Sequence, residues 1–190
     1  MRGLVWMKDE GAEYAEVNLA SELTAVGVAL GTDPVPYRLE YTLRTFPGYV
    51  TELLCVRAHG AGWHRALDLR RSTHGTWSCE TKAEGDLEGP PPGGDMNILN
   101  DALDCDLGLS PLTNTMPVLR HGLNDCEGQM DFVMAWVRVP HLQVTREAQR
   151  YTHLSTGSVR FESEGFSADL AFDHDGIVAD YPGLAKLIGS

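Results

Sequence analysis

The 190-residue chain predicts a mainly β fold, a sandwich, barrel or roll of many short antiparallel strands. Three observations carry that expectation. Five runs in the first half alternate apolar with polar residues, turn signals separate them at regular spacing, and only one stretch carries a good helical stripe.

In order along the chain, residues 24–30 are the first such run. Residues 37–44 are the clearest: Tyr37, Leu39, Tyr41 and Leu43 alternate with Arg38, Glu40, Thr42 and Arg44, so one face is buried and the other wetted. Residues 50–56, 63–69 and 76–81 follow the same rule. Gly31-Thr32-Asp33-Pro34, Pro47-Gly48, His59-Gly60-Ala61-Gly62 and His74-Gly75 supply the turns between them. Residues 84–95, with Gly89-Pro90-Pro91-Pro92-Gly93-Gly94, cannot join a ladder and read as a mobile surface loop with little packing.

Leu112, Met116, Leu119 and Leu123 then form the helical stripe. Ser110-Pro111 has the form of an N-cap followed by a first-turn proline, and Gly122 that of a C-terminal stop. Because Pro117 forbids one unbroken helix from 111 to 122, Thr115 is the better cap, with Pro117 in the first turn. Residues 133–137 are apolar on both faces, as a central strand is. Near the end Phe166, Ala168, Leu170 and Phe172 share one face, and Asp173-His174-Asp175-Gly176 turns the chain into residues 177–181. That turn is two residues too short for the calcium loop its aspartates suggest. A helical turn over residues 182–188 is expected to close the chain.

A domain of this size can bury about 70% of its unfolded surface, so one domain over residues 1–190 needs neither disulfides nor metal. Its 15 basic and 27 acidic residues give a net charge of −12, which disfavours nucleic acid and anionic membrane surfaces as partners. The opening residues do not form a signal peptide, and no run approaches the roughly 18 apolar residues of a membrane span, so a soluble cytoplasmic protein without integral membrane contact is expected. Cys55, Cys79, Cys105 and Cys126 are too scattered for a metal site and read as buried free thiols.

Chemistry-bearing patterns are few. There is no nucleophile elbow, no P-loop, no dinucleotide fingerprint and no paired-histidine zinc motif, so neither a catalytic residue, a cofactor nor a metal is assigned. The one constellation is Asp104-Cys105-Asp106. On a strand, residues i and i+2 share a face, so both carboxylates could enter one pocket as acids, bases or acceptors for sugar hydroxyls. A solvated edge or a pair of turn aspartates is the plainer alternative.

Several segments together resemble one known family. Asp104-Cys105-Asp106 followed by Pro111-Leu112-Thr113-Asn114-Thr115-Met116-Pro117 is similar to a signature of the putative glycolipid-binding family, once a domain of unknown function. Gln149-Arg150-Tyr151-Thr152 and the closing hairpin from Phe166 to Asp180-Tyr181-Pro182 are similar to two further blocks. Trp6, Gly11 with Glu13, and Pro36-Tyr37 with Tyr41 fit the opening. The resemblance implies a many-stranded antiparallel β-roll wrapped around a single α-helix, assembled as a homodimer. It further implies non-catalytic binding of a glycolipid or related sugar-headgroup lipid in an acidic pocket. The ligand-binding residues carried with it are Asp104, Asp106, Thr113, Asn114, Arg120, Gln149, Tyr151, Asp180 and Tyr181. Asp104 and Asp106 are expected to accept hydrogen bonds, Asn114 to act as a two-sided amide and Tyr151 as a stacking surface. Thr113, Asn114 and Thr115 also read as helix-capping residues, and Tyr151, Asp180 and Tyr181 as corner residues. A glycoside- or ester-cleaving enzyme using the Asp pair, and a dimeric scaffold, are the rival readings.

Overall fold

Period-two alternation becomes strand pairing wherever one face can be buried. In the computed structural model, which describes residues 1–189, each alternating run of the first half is a strand. They belong to a ribbon of hairpins: β1 (Arg2–Lys8), β2 (Gly11–Leu19), β3 (Leu23–Gly31), β4 (Tyr37–Phe46), β5 (Val50–Gly60), β6 (Trp63–Arg71) and β7 (Trp77–Gly85). A second ribbon follows, of β9 (Gln129–Arg138), β10 (Gln143–Ser155), β11 (Ser158–Ser163), β12 (Phe166–Phe172), β13 (Val178–Tyr181) and β14 (Ala185–Gly189). Between them lie β8 (Asp104–Leu107) and α1 (Thr115–His121). All the strands form one 14-stranded sheet, ordered β7-β6-β5-β4-β3-β2-β1-β14-β13-β12-β11-β10-β9-β8. Every neighbouring pair is antiparallel except β8 with β9, which is parallel.

The sheet rolls until its β8 edge lies inside, against β5. The Thr51 amide donates to the Leu103 carbonyl (3.1 Å), and the Cys105 amide donates to Thr51 Oγ1 (2.8 Å). Trp77 Nε1 and Arg71 Nε both donate to the Ala102 carbonyl, fastening the same inner segment to the first ribbon. The helix lies within the roll, where Thr115, Met116, Pro117 and Val118 are all buried.

Five expectations need correction. Residues 133–137 belong to β9, which is second from the edge rather than central. The strand is apolar on both faces because it divides two cores: Phe132 and Met134 face one cluster, Ala135 and Val137 the other. Residues 182–188 form no helical turn, since the chain reverses at Gly183 and continues as β14, which closes the gap between β1 and β13. Ser110 and Thr115 are not caps; Ser110 Oγ donates to Glu13, and α1 begins without a side-chain cap on its first turn. Of the four free cysteines only Cys105 is buried, and Cys126 is exposed. Gly122 does stop the helix, in the left-handed conformation at φ 64°.

Segment 84–95 also packs more than its composition suggests. Arg65 donates to the Glu84 and Leu87 carbonyls, Leu87 lies against the core, and Gly93 exchanges hydrogen bonds with the backbone at Leu142 and Val144.

Glu13 is the charged group buried deepest in the first ribbon. Its inward position on β2 leaves it 1% exposed, and it accepts from Lys8 Nζ (2.5 Å), Tyr41 Oη (2.9 Å) and Ser110 Oγ (2.6 Å). Tyr41 reaches it by lying across Gly27 of β3, where an added Cβ would sit 2.3 Å from the ring. Gly27→Ala is therefore expected to displace the ring and lower unfolding free energy by roughly 1–3 kcal/mol. Tyr41→Phe, which removes one hydrogen bond to a buried carboxylate and keeps the ring, should cost roughly 1.5–3 kcal/mol. Urea denaturation of both variants checks this, and an undiminished Gly27→Ala protein would show that the ring has room to move.

Candidate functional site

The pleat of β8 sends Asp104 and Asp106 to one face and Cys105 and Leu107 to the other, into the larger core. In the parallel register with β9, Asp104 lies opposite Met134 and Asp106 opposite Trp136. The two carboxylates thus share a face, as their spacing predicts, yet they meet different partners.

Asp104 is 1% exposed and is gripped by both arms of the Arg120 guanidinium, at 2.7 and 2.5 Å. Arg120 stands in the last turn of α1, donates also to the Tyr49 carbonyl, and lies over the Phe132 ring. Burial pushes the Asp104 carboxyl above its ordinary value, and the Arg120 hydrogen bonds pull against that push. Removing one partner of such a pair leaves a buried charge uncompensated, at a cost of roughly 3–5 kcal/mol.

Asp106 meets neutral donors. Thr113 Oγ1 donates to Oδ1 (2.8 Å) and Gln149 Nε2 to Oδ2 (2.7 Å). The same Gln149 nitrogen donates to Glu147 Oε2 (2.8 Å), while Gln149 Oε1 accepts from Tyr151 Oη (3.2 Å). Asn114 Nδ2 completes the chain by donating to Tyr151 Oη (2.8 Å). Burial pushes Asp106 up against the pull of Gln149 and Thr113, and burial likewise raises Glu147.

A cavity of about 500 Å³ opens beside this network, where the two cores meet. Its lining carries the polar side chains of Asp106, Asn114 and Glu147 and the rings of Trp136, Phe161, Phe166 and Tyr181, with Trp136 beside Asp106 in the strand register. Asp33, Arg138 and Glu164 also line it, and Ser110 links it to buried Glu13. Leu109 lies at the lining with φ 64°, a left-handed conformation unusual for a leucine, and is 39% exposed. Phe166 is 46% exposed.

Of the nine expected site residues, Asp106, Asn114 and Tyr181 line the cavity. Thr113, Gln149 and Tyr151 stand behind it and hold the first two in place. Tyr151 offers no stacking surface, because its ring is 1% exposed and packed edge-on between Phe132 and Phe161. Thr113 and Asn114 do not cap the helix with their side chains, which are committed to Asp106 and Tyr151. Asp104 and Arg120 are paired with each other away from the lining, and Asp180 lies on β13 facing Lys186, 3.9 Å away. The Asp173 turn is held by its own Oδ1, which accepts from the Asp175 and Ile177 amides, and Arg2 occupies both of its aspartates. No cluster of three metal-ligating side chains occurs among the described residues, and no helix there is long and apolar enough to cross a membrane.

Sequence reading missed Trp136, Glu147 and Phe161 as lining residues. Glu147 was accessible to it, since residues 147, 149 and 151 share a strand face.

The sign of the pH dependence follows from these environments. A carboxyl whose folded value is raised contributes stability below its unfolded value near 4 and loses that contribution as pH rises through the raised one. Asp106→Asn removes one such group, so the loss of unfolding free energy between pH 4 and 7 is expected to be smaller in the variant than in the wild type. Parallel urea titrations across that range measure it; a steeper loss in the variant would mean that the carboxylate is stabilised where it stands.

Comparison with known proteins agrees with this architecture. A crystal structure of a DUF1089-family protein from Pseudomonas aeruginosa superposes with a TM-score of 0.72 at 25% identity, covering 92% of this chain and 91% of that one. No curated protein matches the sequence. The model of the family described as "Putative glycolipid-binding" matches residues 3–186, nearly the whole length, and the chain belongs to that family.

Proposed function

We propose that the cavity binds a glycolipid or related sugar-headgroup lipid without catalysis, as a step in glycolipid handling in the cytoplasm. The observation that carries the reading is a lining that combines polar groups at Asp106, Asn114 and Glu147 with the rings of Trp136, Phe161, Phe166 and Tyr181. Sugars present hydroxyls at their edges and C–H groups on their faces, so they need paired acceptors and donors on one side and an apolar surface on the other. The volume of about 500 Å³ suits a headgroup and the start of a chain, since pockets of 300–1,000 Å³ take drug-sized ligands. Exposed Leu109 and Phe166 then offer the rest of the chain a path outward. The family's description points the same way.

Octyl glucoside below its micellar concentration is a suitable probe, followed by calorimetry. Saturable binding is expected, and Asp106→Ala and Phe166→Ala should each weaken it about tenfold, as loss of a charge-assisted hydrogen bond or of an apolar contact predicts. Binding that neither substitution alters would place the ligand elsewhere, and turnover of a chromogenic glycoside abolished by Asp106→Asn would replace binding with catalysis.

The proposal extends to a homodimer. Of the two sheet edges β8 is taken inside, whereas β7 remains open and is mostly exposed beyond Cys79, and an open edge is commonly protected by association. Sedimentation at micromolar protein should give twice the chain mass; a monomer there would refute it.

A further inference from the structure

The carboxylates of this protein divide into two populations. On the outer faces of the strands, acids stand beside arginines and pair with them: Glu40 with Arg38, Glu52 with Arg44, Asp68 with Arg57, Asp131 with Arg150 and Asp169 with Arg160. Asp33, Asp106, Glu147 and Glu164, which line the cavity, form no ion pair with any described residue. The one cation of the lining, Arg138, is exposed and lies over the Trp136 ring, 4.9 Å from its centroid. Four carboxylates against one guanidinium give the lining a formal charge of −3.

We infer that the cavity is built for a ligand whose headgroup carries an ammonium, an amino sugar on a short apolar chain, in place of a neutral or anionic sugar; this rests on the function proposed above. Gln149 shows how a nitrogen is received there. Its Nε2 bridges Asp106 Oδ2 and Glu147 Oε2 at 2.7 and 2.8 Å, so the two oxygens lie no more than 5.5 Å apart, the two bonds laid end to end. Glu147 Oε1 has no protein donor among the described residues and is free for a second nitrogen, from the ligand. Phe161 and Tyr181 add rings to the same lining, where a cation is attracted to a ring face as Arg138 is to Trp136. Burial disfavours the charged form of Asp106 and of Glu147, and an entering cation would relieve both at once.

The test compares three octyl glycosides on the full-length protein: octyl glucoside, its 2-amino-2-deoxy counterpart, and octyl glucuronide, which carries a carboxylate. The amino compound is expected to bind at least about tenfold more tightly than the neutral one, equivalent to 1.4 kcal/mol, and the glucuronide most weakly. Glu147→Gln should remove most of that preference, read as the ratio of the amino to the neutral affinity in the same variant, because Glu147 also lines the site for the neutral glycoside. Glu164→Gln, at an exposed position, should remove a smaller part of it and controls for misfolding. Equal affinity for the neutral and amino glycosides overturns the inference and leaves the sugar-lipid reading standing. No binding of any of the three overturns both, and an amino preference untouched by Glu147→Gln and Glu164→Gln overturns the assignment to this cavity.

Discussion

A carboxylate carried into the inside of a rolled sheet has to be met there by donors, because water can no longer solvate it. Asp104 imposes that requirement in full and Asp106, two residues on at the cavity lining, imposes it on its inner side, and much of the inner structure answers it. Arg120 has to come back from the last turn of α1, which helps fix the helix against β8. Thr113 has to follow β8 closely enough to receive the Leu107 amide and donate to Asp106, which sets the tight 3₁₀ turn before the helix. Gln149 has to face inward from β10, and its own amide oxygen then orients Tyr151 and through it Asn114. The cavity is what remains on the side of Asp106 that no cation fills.

Most of the sheet was legible where strands obey simple alternation, as in β3 to β7. β11 obeys the rule too, with Val159 and Phe161 alternating with Arg160 and Glu162, and was passed over for its shortness; three other strands that escaped notice break the rule for an identifiable reason. On β1, Val5 and Met7 point outward beside inward Leu4 and Trp6, so the run reads as apolar throughout. On β2 the inward face begins with Glu13 and the outward face carries Tyr14, which inverts the usual pattern. On β10 the buried face is polar where it meets Asp106, with Gln149 at 2% exposure, so the hydrogen-bond network erases the strand's signature.

The site was partly legible for a related reason. Residues near one another on the chain, such as Asp104 with Asp106 and Gln149 with Tyr151, announce a shared face. Trp136 lies opposite Asp106 only because β8 and β9 run parallel in a particular register, and Phe161 and Tyr181 arrive from two further strands. No local pattern encodes that convergence. Conversely, Asp180 shares its hairpin with Tyr181 but faces the other way, since neighbours on a strand point to opposite sides.

The order of strands has a consequence for how the chain assembles. Apart from the inner segment with β8 and α1, each ribbon is a run of hairpins between sequence neighbours, and such contacts form early because little chain has to be closed. The pairing of β1 with β14, reinforced by Trp6 Nε1 donating to the Val178 carbonyl at 2.7 Å, joins residues from opposite ends of the molecule. That seam closes a loop of nearly the whole chain. Loop entropy grows only logarithmically, about 0.6 kcal/mol per doubling, so once both ribbons exist the closure costs far less than its span suggests. The roll is in effect two zippers stitched together along a single line, and its two chain ends meet at that line.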